Sequence, residues 1–217
     1  MRSVKVLEMI NQGRIEELKG ELRDEIYADA LKNNPSAKKR YAAMKKYFTY
    51  IKTTREALQK PCIVEFNGML YTSFCNSHSL ALTTEPCGSI ELFADTDRYP
   101  DVARLITTNG KGRKVDFQKV FADAKSQGYH LKKSELDGHK FKYLMHYDGS
   151  YFKLGLVDAT FSIIDDGEEA TVYHDPVKRL PITIETSIGV CTIMPMNIKN
   201  EDDIEDGITI IDVKEAN

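Results

Sequence analysis

Ile63-Val64-Glu65-Phe66-Asn67-Gly68-Met69-Leu70-Tyr71-Thr72 is where the chain changes character. Two runs of β-branched and aromatic residues flank Asn-Gly, the pair best suited to the positive φ angles of a two-residue hairpin turn. The pattern predicts two antiparallel strands. Downstream, residues 80–83, 90–93, 140–146, 170–173, 182–186, 190–193 and 208–213 carry further strand patterns. Residues 115–126 instead show helical spacing through Phe117, Val120, Phe121 and Ala124. Residues 151–164 fit either state. Their aromatic and β-branched content favours strand, while Leu154, Val157 and Phe161 recur at helical spacing. Residues 107–114 (TTNGKGRK) read as a glycine-containing basic loop, and Asp165-Asp166-Gly167 as a turn.

Upstream of the hairpin the chain reads as helix. Val4, Leu7, Ile10, Ile15, Leu18, Leu22, Ile26 and Leu31 recur at helical spacing over 4–32, with Asn11-Gln12-Gly13 as a break. Asn33-Asn34-Pro35 is expected to end this run, because the residue before proline avoids the α region. Ser36 is then placed to cap a second helix over 37–58. Tyr41, Met44, Phe48 and Ile51 form its apolar stripe, and Lys38, Lys39, Lys45, Lys46 and Lys52 lie largely off it. The order of helices, strands, a helix, strands, a possible helix and strands again, without βαβ winding, predicts an α+β fold with antiparallel sheet. The chain divides into a helical N-terminal segment over 1–58, an α+β region over 59–198 and an acidic tail over 199–217.

With 217 residues, 41% hydrophobic and 29% charged, the composition is that of an ordinary globular protein. No apolar run approaches the roughly 20 residues of a membrane span, and the first residues lack the apolar core of a secretory signal. Cys62, Cys75, Cys87 and Cys191 show no C-x-x-C spacing, so a cytoplasmic location with free thiols is expected. The net charge of −3 hides an asymmetry. Residues 1–60 hold 14 Lys/Arg and 8 Asp/Glu, and the remainder is acidic. Such a basic segment suits either local polyanion binding or a solvated helix face paired with the acidic part of its own chain.

No catalytic constellation emerges, and no enzymatic activity, cofactor or metal is expected. There is no G-x-G-x-x-G, P-loop, G-x-S-x-G or H-E-x-x-H. Cys75 and His78 are close in sequence, but residues three apart on a strand point to opposite faces, so an unreactive thiol beside a surface His is the reading. His78, His130, His139, His146 and His174 do not fall at ligand spacing, and His174-Asp175 reads as turn chemistry. Asp95, Asp97 and Asp101 lack the glycine and closing glutamate of a calcium loop. Asp165, Asp166, Glu168 and Glu169 are expected to be solvated around a turn.

Three stretches carry a family resemblance. The first is Arg55-Glu56-Ala57-Leu58-Gln59, two strands, then residues 72–82 (TSFCNSHSLAL). The second is Arg98-Tyr99-Pro100-Asp101-Val102-Ala103-Arg104-Leu105-Ile106. The third runs through Tyr151-Phe152, Leu156-Val157-Asp158-Ala159, residues 170–173, Pro181-Ile182-Thr183-Ile184 and residues 190–196 (VCTIMPM). In that order they resemble the bacterial β sliding clamp family, the processivity factors of the replicative DNA polymerase. They are similar to its R-P-x-L-Q and A-T-D-G-H-R-L-A-L, its F-P-D-Y-x-R-V-I-P, and its Y-L-x-D-A-L, P-L-x-I and V-M-P-M. Asn76, Ser77 and Ser79 stand where the family has Asp, Gly and Arg. The chain is also much shorter than a three-domain clamp, so it resembles a reduced, phage- or mobile-element-like member.

The resemblance implies clamp-like antiparallel sheets with packed helices that face duplex DNA and touch its phosphates without reading bases. Lys38, Lys39, Lys45, Lys46 and Lys52 would supply one basic face, and Lys111, Arg113 and Lys114, with Lys119 and Lys125, a second. It further implies a pocket for short peptides of a polymerase or other clamp-binding partner. Carried over, its residues are Cys75, Ser77, His78, Ser79, Leu80, Thr192, Met194, Pro195 and Met196. Residue by residue, Met194 and Met196 suit equally a core or sheet-edge position. One chain of this size cannot encircle a duplex whose major groove alone is about 12 Å wide, so a homo-oligomer would be needed. A clamp-fold interaction or regulatory module without DNA binding is the alternative function.

Overall fold

The Asn67–Gly68 hairpin forms as its residues require, with φ of 51° and 75° at the two turn positions. It joins β1 (Cys62–Phe66) to β2 (Met69–Cys75). A second turn of the same kind, Asp148–Gly149 with φ of 48° and 73°, joins β5 (Tyr143–Tyr147) to β6 (Ser150–Lys153). The computed structural model describes residues 3–32, 34–50, 55–88, 90–108, 111–136, 141–175, 180–198 and 204–215.

The remaining strands are β3 (Ser79–Thr83), β4 (Arg113–Val115), β7 (Ala170–Tyr173), β8 (Ile182–Thr186), β9 (Gly189–Ile193) and β10 (Thr209–Asp212). Of the ten strands among the described residues, seven form one antiparallel sheet in the order β1-β2-β3-β9-β8-β7-β4. The other three form a smaller sheet, β10-β5-β6, in which β10 runs parallel to β5. The fold is therefore α+β with a predominantly antiparallel sheet, as the order of patterns predicts.

The helices are α1 (Ser3–Asn11), α2 (Ile15–Lys32), α3 (Pro35–Tyr50), α4 (Phe117–Ser126) and α5 (Leu154–Phe161). Residues 151–164 satisfy both of their patterns in turn, strand through Lys153 and helix from Leu154. Helix α2 ends at Lys32, where the run into Pro35 is expected to stop it, and Pro35 itself begins α3, since proline at a first helical position forfeits no bond. Asn34, not Ser36, caps it, its Oδ1 accepting from Ala37 N–H at 3.0 Å. Residues 90–93 form no strand and belong to the connector between β3 and β4. Residues 51–54, with Ile51 and Lys52, lie outside the described residues.

Helix α5 touches both sheets and α3. Phe161 packs on Phe117 of α4 at 4.6 Å between ring centroids. With Met44, Tyr47, Phe74, Phe152, Val157 and Ile184 these residues share one apolar core. A second cluster lies on the opposite face of the large sheet, where Leu58, Tyr99 and Val102 cover Cys75, Leu80, Leu82 and Val190. Gly189 lies where β9 approaches β3 so closely that a Cβ would sit 2.2 Å from the Leu82 carbonyl oxygen. Helix α3 is held by a polar lock. Arg40 donates to the Asp165 carbonyl at 3.0 Å and to Glu85 at 2.9 Å. Asp165 is buried, not solvated, and accepts from Lys39, from Gln118 of α4 and from Gly167 N–H.

Candidate functional site

Antiparallel pairing of β3 with β9 sets Ser79 opposite Ile193 and Leu80 opposite Thr192. Beyond the last pair, Met194 N–H donates to the His78 carbonyl at 2.9 Å. The chain then crosses to the small sheet, where Met196 N–H donates to the Tyr151 carbonyl at 2.8 Å. Residues 75–80 and 192–196 are thus neighbours along one seam. The connector closes on the same place. Tyr99 Oη donates to the Ser73 carbonyl at 3.0 Å, and Tyr99 and Val102 pack in the cluster that holds Cys75 and Leu80.

The nine residues of the expected pocket divide into two groups. Ser77, His78 and Met194 are exposed, with Pro195 and Met196 half-buried beside them. Cys75, Ser79, Leu80 and Thr192 have buried side chains that hold the seam together. Leu80 and Cys75 face the connector. Ser79 faces the helices, its Oγ 3.0 Å from Tyr47 Oη and accepting from Thr160 at 2.9 Å. Asn76 completes this network. Its Oδ1 accepts from His78 N–H and Ser79 N–H, and its Nδ2 donates to Tyr47 and Ser79. Asn76 and Ser79 therefore fix the turn that presents Ser77 and His78, and tie it to α3 and α5.

The chemistry at this rim is that of contact. Burial pushes the Cys75 thiol up to about 12, and its Sγ donates to the Asn76 carbonyl, so thiolate is suppressed. Met194, 47% exposed, is an adaptable apolar wall beside polar Ser77 and His78. No group of three or more His, Cys, Asp or Glu able to hold a metal occurs among the described residues.

The basic residues occupy two separate places. On α3, Ala37, Arg40, Met44 and Tyr47 turn inward, which leaves Lys38, Lys39, Lys45 and Lys46 exposed on the outer face. Lys39 is paired with Asp165 at 3.0 Å, and Lys45 Nζ lies 4.4 Å from the centre of the Tyr41 ring. Lys111 and Lys114 are exposed at and before the edge strand β4. Arg113, on the same strand, is ion-paired with Asp148 at 3.4 Å and Glu215 at 3.0 Å. Lys119 and Lys125 are exposed on α4.

Sequence patterns alone missed Tyr47 and Thr160. Tyr47 falls one residue before the stripe position taken by Phe48, and only the buried network gives it a role. His174 is no simple turn residue. It is buried beside Tyr147 and Phe152, with Nε2 3.0 Å from Ser150 Oγ. No described helix is long and apolar enough to cross a membrane. Comparison with protein-family models, with curated proteins and with solved structures returns no match.

Proposed function

We propose that this chain is a sliding-clamp-like, DNA-associated protein, a non-enzymatic polymerase processivity or partner-tethering factor that works as a homo-oligomer. The observation that carries the reading is the β3–β9 seam. It joins the 75–80 and 192–196 stretches, which come from opposite ends of the α+β region and which the resemblance assigns to one peptide pocket. Ser77, His78, Met194, Pro195 and Met196 form the accessible part of that site, suited to a short segment with apolar anchors. The outer face of α3 is the proposed DNA contact, through Lys38, Lys45 and Lys46, with Lys111 and Lys114 as a second contact.

Light scattering joined to duplex-DNA binding across a salt series tests this. Contacts to about four phosphates give an affinity that falls roughly a hundredfold between about 50 and 200 mM salt. Replacing Lys38, Lys45 and Lys46 by Ala is expected to weaken binding to every sequence alike and to flatten the salt slope. A monomer that binds no duplex at low salt sinks the DNA reading.

One observation favours the alternative of an interaction module without DNA binding. Lys39 and Arg113 already have carboxylate partners within the chain. Peptide binding at the seam that survives the lysine replacements, with no duplex binding, would select that reading.

A further inference from the structure

A groove of about 800 Å3 opens between α4 and the outer edge of β10, away from the β3–β9 seam. Strand β10 has β5 on one side and no strand among the described residues on the other. Thr209 N–H donates to the Lys142 carbonyl and Val213 N–H to the His146 carbonyl, both toward β5. Backbone groups alternate sides along a strand, so Ile210 and Asp212 direct theirs away from β5. Both residues line the groove.

The lining is unbalanced in charge, with Asp116, Asp123, Glu169, Asp212 and Glu215 against Lys119 and Lys214. Two of these acids have partners of their own within the chain: Asp212 lies 2.8 Å from His146 Nδ1 and Glu215 3.0 Å from Arg113. Asp116 caps α4 by accepting from Lys119 N–H. Asp123 on α4 and Glu169 just ahead of β7 are exposed. Val120, Ile210 and Ile211 add apolar surface.

We propose that this groove receives an extended, lysine- or arginine-rich segment of a partner protein, which adds to β10 as a fourth strand. An extended chain answers the free edge with backbone hydrogen bonds, as a helix does not. Its alternating side chains set cations against Asp123 and Glu169 and apolar residues against Ile210. A polyanion is repelled by the same lining. The proposal stands apart from the clamp reading: Lys119, named there for the second basic face, lines the groove, but Asp123 and Glu169, on which the test rests, belong to neither the seam nor the lysine faces.

The test uses the full chain and a fluorescein-labelled peptide of alternating lysine and valine, about seven residues long, the length of an ordinary strand. Anisotropy at low salt reads binding, and light scattering runs in parallel. Saturable binding is expected, weakened about tenfold by Asp123→Lys combined with Glu169→Lys, and abolished when alternate peptide amides are N-methylated. Both substituted side chains are exposed, and circular dichroism checks the fold of the variant. Absence of saturable binding, equal binding of a glutamate–valine peptide, or indifference to the charge reversal or to N-methylation overturns the proposal. Self-association that the double variant dissolves overturns it too, because a second copy would then be the occupant.

Discussion

The His174 ring is enclosed by Tyr147 and Phe152, with Ser150 Oγ against its Nε2. Burial disfavours the imidazolium, so the folded pKa lies below the ordinary 6.5. The unfolded chain therefore binds the proton more readily. The contribution of neutral His174 is complete above about pH 6.5 and is lost as pH falls through the depressed folded value. Asp158, whose pKa burial raises, acts with the opposite sign. The comparison with a variant thus isolates His174. Urea midpoints at pH 7.5 and 5 are expected to converge in His174→Phe relative to the parent chain. Single residues were the least legible part of the sequence. Asp165 and His174 look like turn residues because their burial comes from α3, α4 and the β5–β6 turn, all distant in the chain.

At the scale of elements, the seam depends on Gly189. An alanine Cβ there meets the Leu82 carbonyl oxygen, a backbone atom that yields only if β3 and β9 part. Gly189→Ala is expected to cost about 1–3 kcal/mol, read as a fall in the urea midpoint. Elements with strong local signals were legible: both strands of the Asn67–Gly68 hairpin, α4 through its apolar spacing, and β7, β8 and β9. The three-residue β4 was not, because Arg113-Lys114-Val115 has too little pattern and is a strand only through pairing with β7. Residues 90–93 carry a strand pattern yet remain in the connector, where Leu92 and Phe93 pack against the two cores without a ladder. For the candidate site, the two segments were legible through resemblance. Which of their side chains stay accessible was not, because that follows from the pleat and from the connector above it.

Across the whole molecule the surfaces separate. The lysines of α3 stand on the helical side, Met194 sits at the rim of the seam, and the acidic groove lies beside α4 and β10. On the proposed function, a change at one surface leaves the others working. Met194→Glu puts a charge on the apolar wall and is expected to lower binding of a partner peptide at least tenfold, about 1.4 kcal/mol. Duplex affinity and its salt slope are expected to stay unchanged in the same preparation. Loss of both together would show that the two surfaces are not independent.

The central joint of the large sheet links Ser79–Thr83 to Gly189–Ile193. During synthesis the first three strands leave the ribosome long before their partner exists. Until β9 emerges, β3 offers an open edge with Leu80, Ala81 and Leu82 in it. Pairings so distant in sequence are slow to close, because the loop entropy is lost before the contacts repay it. The emergence of the last quarter of the chain therefore gates the assembly of the whole sheet, and a ribosome stalled before residue 189 would hold a nascent chain with an unguarded, aggregation-prone edge.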